Sequence, residues 1–339
     1  MFEHLKTLCE LNGTSGREDN VREYIIEQIK DKAGYSVDKL GNIIAFKKGN
    51  AVPKNKIMLD AHMDEVGLIV TSVQSDGTLT FAEVGGIDPS VVIGRQVTIN
   101  DLYGVVGAKA VHNLSAEERE KAPEMDSLYI DIGAADREEA EKYVSPGDCA
   151  YFVSEYTEMG NDTILAKAID DRFGCALMID MIQSELPYDM YFTFTVQEEI
   201  GLRGAKAAAY TVNPDIAIVI ESTTAADIDS VPKAKQVCHL GKGAVVSFMD
   251  RSTMYDKQLY DIAFEQSAEK NIPCQTKTTI AGGNNSGAIH TSRGGIKTIA
   301  VSAPCRYLHS PSCVVNKNDL KACYDMVNAI IEKAADMEI

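Results

Sequence analysis

Four short apolar runs in this chain each lead into an acid or a histidine, and that repetition constrains the fold more than any other feature. Ile57–Leu59 continues through Asp60-Ala61 to His62-Met63-Asp64-Glu65, and Tyr191–Val196 continues to Gln197-Glu198-Glu199. Ile216–Ile220 meets Glu221, and Thr298–Val301 is followed within a short loop by His309. Apolar runs of this kind, bounded by turn residues, read as strands covered on both faces. Buried strands do not end repeatedly in unpaired charges, because an isolated buried charge is costly. Helix-period segments flank and interrupt the runs: Glu18 to Lys32 before them, with Val21, Ile25 and Ile29 on one stripe, Asp256 to Lys270 among them, and Asn318 to Ala335 after them. The alternation predicts an α/β sheet that is at least partly parallel. In such open sheets the functional crevice lies at the carboxyl ends of the strands. The acids and histidines would then converge there.

The stretch from about Gly67 to Thr163 reads differently. Short strand-like pieces are punctuated by Asp76-Gly77, Gly85-Gly86, Gly104, Gly107 and Pro146-Gly147-Asp148. An Asp-Gly between Val73 and Leu79 is a strong hairpin signal. Short charged helices are expected at Ser115 to Lys121 and Asp136 to Tyr143. Residues 68–163 are therefore read as a small β-rich domain inserted into an α/β domain made of residues 1–67 and 164–339.

Composition narrows the function class. The chain has 339 residues, and 33 Lys+Arg against 50 Asp+Glu give a net charge of −17. That balance opposes binding to a phosphate backbone, which calls for a basic face. No run approaches the roughly 18 apolar residues that a membrane span needs. The start, MFEHLKTLCELNG, lacks a basic segment followed by an apolar one, so no secretory signal is expected. The eight cysteines include no C-x-x-C pair and read as reduced thiols. A cytoplasmic protein with neither nucleic-acid nor membrane partner is the expectation.

The candidate chemistry is metal-based. Asp170-Asp171 opens the helix pattern Arg172 to Ser184, and alone it would read as a helix cap. A metal-bound imidazole needs its second N–H held, and Asp64 stands two residues from His62 for that task. Glu198 and Glu199 are adjacent and point differently, so one can hold metal while the other remains a free base for water. His4, His112, His239 and His290 lack such surroundings. No complete phosphate-binding loop is present, and neither Ser286 nor Ser310 sits in a serine-hydrolase elbow. A glycoside hydrolase usually stacks sugars on aromatic platforms, whereas Trp is 0 here.

Four motifs in order carry a resemblance: Ala61-His62-Met63-Asp64-Glu65, Ala168-Ile169-Asp170-Asp171-Arg172, Val196-Gln197-Glu198-Glu199-Ile200-Gly201, and Arg306-Tyr307-Leu308-His309-Ser310. Together they resemble the tetrahedral-aminopeptidase family of dinuclear-metal exopeptidases, which includes glutamyl aminopeptidases and proteins once labelled endoglucanase M. The likeness spans nearly the whole chain. It implies a zinc-exopeptidase-like α/β/α catalytic domain with an inserted barrel-like domain that mediates homo-oligomer assembly, commonly into a tetrahedral dodecamer. It implies two divalent ions per subunit, Zn2+ or Co2+, with His62 and Glu221 on one, Glu199 and His309 on the other, and Asp170 bridging. Glu198 would be the general base and Asp64 the partner of His62.

Two positions depart from the family pattern. Glu221 stands where Asp is usual, which lengthens a ligand arm. Asn284-Asn285 stands where Thr-Asp is usual, which would remove a pocket charge that bears on substrate preference. The reading that follows is an aminopeptidase acting on short peptides. The alternative is a related metal amidohydrolase that deacylates N-acyl amino acids.

Overall fold

The computed structural model describes residues 1–339. An eight-stranded sheet runs in the order Gly34–Val37, Ile43–Lys47, Met190–Thr195, Ile57–His62, Ile216–Thr224, Lys297–Cys305, Ala244–Val246 and Cys274–Thr276. Its four central strands, from Met190–Thr195 to Lys297–Cys305, are mutually parallel. Their carboxyl ends therefore share one edge, as the strand-end pattern anticipates. The helices Ile169–Gln183 and Lys317–Ala334 pack on the sheet, and a core of 55 buried apolar residues joins them to it. Helix Ile169–Gln183 is buried on nearly every face, Asp180 and Gln183 excepted, and its polar residues Asp170, Asp171 and Arg172 gather in the first turn.

The central strands are longer than the sequence pattern indicates. Ile216–Thr224 continues three residues past Glu221, because Lys297–Cys305 pairs with it along its whole length. Its pairing with Ile57–His62 stops at Val219. Glu221 therefore sits inside a strand, just beyond the last paired residue on the His62 side. That step in the sheet edge exposes the acid to the crevice.

The segment after Glu65 closes into a six-stranded antiparallel barrel. Around it run Gly67–Val73, Leu79–Val84, Tyr129–Asp131, Leu102–Gly107, Gln96–Ile99 and Cys149–Phe152. A separate cluster of 17 buried apolar residues fills it, including Leu68, Val70, Leu79, Phe81, Val97 and Ile130. The Asp76-Gly77 turn joins the first two barrel strands, with Gly77 at φ +83, a value glycine adopts freely. The short helices Ala116–Arg119 and Arg137–Ala140 fall where charge patterning places them, capped by Ser115 and Asp136. Beyond the barrel, Thr157–Met159 and Thr163–Ala166 form a small sheet with Cys313–Asn316, returning the chain to the α/β layer.

Candidate metal centre

The sheet edge brings His62, Asp170, Glu199, Glu221 and His309 together. His62 ends a central strand, and Glu198-Glu199 follow the end of its neighbour. Asp170 lies at the irregular start of helix Ile169–Gln183, where Ala168 has φ 55 and Asp170 has ψ 111. The two adjacent aspartates separate in role there. Asp171 accepts the Gly174 N–H at 3.0 Å, which is the helix cap foreseen from sequence, and it also accepts the His62 N–H at 3.3 Å. Asp170 is left for the site.

Asp170 faces both imidazoles. Its Oδ1 is 3.4 Å from His62 Nε2 and its Oδ2 is 3.6 Å from His309 Nε2. His62 Nε2 also lies 4.0 Å from Glu221 Oε2, and His309 Nε2 lies 3.4 Å from Glu199 Oε1. These spacings exceed good N–H···O hydrogen bonds, which cluster near 2.9–3.0 Å. Three of the four match the edge of a coordination shell, the His62–Glu221 spacing being wider: two donors each about 2.0–2.2 Å from a cation at a tetrahedral angle stand about 3.3–3.6 Å apart. Asp170 Oδ1 and Glu221 Oε1 are also buried without any hydrogen-bond partner. Buried carboxylate oxygens of that kind call for a counter-charge.

The electrostatics point the same way. Burial pushes the Glu199, Glu221 and Asp171 carboxyls well above their ordinary range. Burial also raises Glu198 to about 7, with the Asp170 and Asp64 carboxylates adding to it. Burial opposes protonation of His309, but Asp170 and Glu199 outweigh it and hold the imidazole at about 10. Asp170 falls below the usual carboxylate range, since its two imidazole neighbours overcome the cost of burial. Six acids thus crowd two imidazoles, and the cluster is short of positive charge. One or two divalent cations fit that deficit and that donor set. The geometric groupings are His62 with Asp170 and Glu199, and His62 with Asp171 and Glu221.

Glu198 stands apart from those groupings. It lines the cleft, and its carboxylate takes no hydrogen bond from the protein. Asp64 fixes this turn: its carboxylate accepts the Glu198 N–H at 2.9 Å, the Glu199 N–H at 3.1 Å and the Ser15 hydroxyl at 2.6 Å. His62 Nδ1 is 3.0 Å from the Asp64 backbone carbonyl and 3.4 Å from its carboxylate. Asp64 therefore holds the imidazole chiefly through its main chain and spends its side chain on Glu198-Glu199.

His309 is oriented from the barrel. Its Nδ1 donates to the Gly86 carbonyl at 2.8 Å. Gly85 has φ +84, and a Cβ there would come 2.8 Å from Val66 and 3.2 Å from the Glu199 Cβ, so only glycine fits. Sequence reading saw Gly85-Gly86 only as a turn. No local signal links it to a histidine more than two hundred residues away.

The cleft beside these residues has a volume of about 550 Å³. Asn284 lines it, but Asn285 does not. Asn285 is fully buried and donates to Asp60 at 2.7 Å and to the Thr195 hydroxyl at 2.8 Å. This corrects the expectation of a missing pocket charge at Asn285. An aspartate there would face the Asp60 carboxylate across a buried contact, which an amide donor avoids. The cationic group of the cleft is instead Lys277, which forms no ion pair and gives one donor to the Ala281 carbonyl at 2.8 Å.

Comparison with known proteins agrees with this architecture. The profile of the M42 glutamyl aminopeptidase family matches residues 41–326. The chain is 41% identical over 323 residues to a putative aminopeptidase of Acetivibrio thermocellus, covering 94% of this chain and 95% of that one. It is 32% identical to the lysyl aminopeptidase of Pyrococcus furiosus, with 99% and 98% covered. Among solved structures it superposes on the TET1 peptidase of Pyrococcus horikoshii with a TM-score of 0.85 at 35% identity, covering 99% of each chain. That peptidase can assemble into a tetrahedron or a large octahedral shell.

Proposed function

The chain belongs to the M42 glutamyl aminopeptidase family and is a peptidase, and from that premise we propose that it releases N-terminal residues from short peptides at a dinuclear metal centre. His62 and Glu221 would hold one ion, Glu199 and His309 the other, and Asp170 would bridge them. The observation that carries this assignment is the Asp170 carboxylate, which presents one oxygen to each imidazole at 3.4 and 3.6 Å. Glu221 reaches the His62 side despite its longer arm, because its strand overshoots the neighbouring one. Divalent cations bound there, Zn2+ or Co2+ by the donor set, supply Lewis-acid polarisation of the scissile carbonyl and acidify water.

The chain's own groups do the rest. Glu198, unbonded and facing the cleft, accepts a proton from the attacking water and returns it to the leaving amine. Asp64 keeps Glu198 aimed by gripping its backbone N–H. The crowd of carboxylates beside the ions suits the free ammonium of a peptide N-terminus, which an N-acyl substrate lacks. Lys277, the lone lysine or arginine of the cleft, favours an acidic first side chain.

Residues 68–163 would form the inserted domain and carry assembly into a homo-oligomer. Tyr103 and Val105 lie outward on one barrel strand, 66% and 41% exposed. At a net charge of −17, copies repel, so association must rest on such apolar area.

A panel of glutamyl, leucyl and lysyl nitroanilides, each free and N-acetylated, tests the reading with Zn2+, Co2+ or Mn2+ added to chelator-stripped protein. Metal-dependent hydrolysis of the free forms, led by glutamyl, is expected. Faster cleavage of the acetylated forms would establish the deacylase instead.

A further inference from the structure

One buried charge cluster beside the site has no part in the chemistry above. Glu65 follows Asp64 and is 3% exposed. Both of its oxygens receive Lys167 Nζ at 2.7 Å, and Oε1 also accepts the Gly13 N–H at 3.0 Å. Arg172 is wholly buried, with Nη2 3.4 Å from Glu65 Oε1. The remaining guanidinium donors go to backbone carbonyls of Met63 at 2.8 Å, Leu8 at 2.6 Å, Leu11 at 3.2 Å and Gly13 at 3.3 Å.

Lys167 and Arg172 bracket Asp170 in the chain. The turn between them leaves helical geometry at Ala168, Asp170 and Asp171. A turn without a regular ladder needs support from outside, and both of its ends meet a single carboxylate, Lys167 by two bonds at 2.7 Å and Arg172 by a looser contact at 3.4 Å. That carboxylate sits on the segment that carries His62 and Asp64. Charge gives a second reason: one acid against two cations leaves the cluster net positive beside an acid-rich site.

We propose that Glu65 is a positioning residue for the metal centre, holding the Asp170 turn through Lys167 and Arg172 so that Asp170 meets both imidazoles. This rests on the metal-site reading above. It differs from a purely structural ion triad, which would pin the N-terminal segment to the core and leave metal affinity alone.

The test titrates chelator-stripped protein with Zn2+ against a competing chromogenic chelator. Glu65→Gln is compared with Leu5→Ala, which empties a fully buried position of the helix Phe2–Glu10, outside the cluster. Loss of groups that orient metal ligands weakens binding about 10–100-fold, and that loss is expected for Glu65→Gln. Leu5→Ala should stay within about twofold of the parent protein, even though it melts at a lower temperature. Unchanged affinity in Glu65→Gln, or an equal loss in Leu5→Ala, would overturn the proposal. If Glu65→Gln gives no cooperative melt, Lys167→Gln decides, because the Arg172 contacts remain. It should weaken Zn2+ binding about tenfold, at the lower end of that range, and unchanged affinity would overturn the proposal in the same way. A parent protein that binds no Zn2+ at all would instead refute the site on which the inference stands.

Discussion

The parallel sheet and the barrel are built on opposite terms. The sheet layer buries Asp60, His62, Asp64, Glu65, Lys167, Asp170, Asp171, Arg172 and Glu221 near one edge. Between Gly67 and Ala166 not one polar or charged residue is buried. The barrel is thus an apolar packing problem solved by size and alternation. The sheet carries charges whose burial weakens the fold unless each is paired, hydrogen-bonded or ligating. Where local rules are broken, function is the usual reason. The two regions meet at the Gly85-Gly86 loop, where the apolar body reaches across to steady His309.

That contrast is open to direct attack. The largest effect is expected at Glu198→Gln, which should lower kcat about 10²–10⁴-fold while elemental analysis finds the metal content of the parent protein. Loss of metal there would exchange the roles of Glu198 and Glu199. Next is a barrel cavity: Ile130→Ala should cost about 2–5 kcal/mol of stability by denaturant unfolding, yet leave metal affinity within about twofold. A matching loss of metal would show that the barrel core and the site are one cooperative unit.

Gly85→Ala, on the shared loop, should couple the two regions by forcing strain against Val66 and Glu199. About 10–100-fold weaker metal binding is expected, measured by chelator competition, with the barrel still folded by near-ultraviolet circular dichroism. Asp64→Asn should lose metal affinity by about 10-fold and kcat by more, because the amide meets the Glu198 and Glu199 N–H donors with a donor of its own. The smallest effect belongs to the exposed Lys109–Glu118 pair, where Lys109→Ala should leave the melting temperature unchanged.

The four central strands were legible in the sequence because they are buried on both faces and so read as unbroken apolar runs. The strands Gly34–Val37, Ile43–Lys47, Ala244–Val246 and Cys274–Thr276 were not: Gly34–Val37 is exposed throughout, and the last two are only three residues long. Helix Arg203–Val212 was also missed: its buried stripe is built from Ala205, Ala208 and Ala209, small residues that give periodicity little weight. In the site, the acids and histidines were visible as strand ends, but their supports were not. Ser15, Glu65, Gly86 and Lys277 act across the fold, and contacts between distant segments leave no local trace. Asp171 shows the converse. Of the pair Asp170-Asp171, which taken alone reads as a helix cap, Asp171 takes the capping bond from Gly174 and also grips the His62 backbone.

The central claim is that Asp170 joins two cation sites at the edge of the sheet. Isothermal titration of chelator-stripped protein with Zn2+ tests it most directly, run on the parent chain, His309→Ala and Asp170→Ala. The account predicts two ions per chain in the parent, one in His309→Ala, and loss of tight binding at both positions in Asp170→Ala. A parent that takes up a single ion, or an Asp170→Ala chain that still binds two tightly, would contradict it.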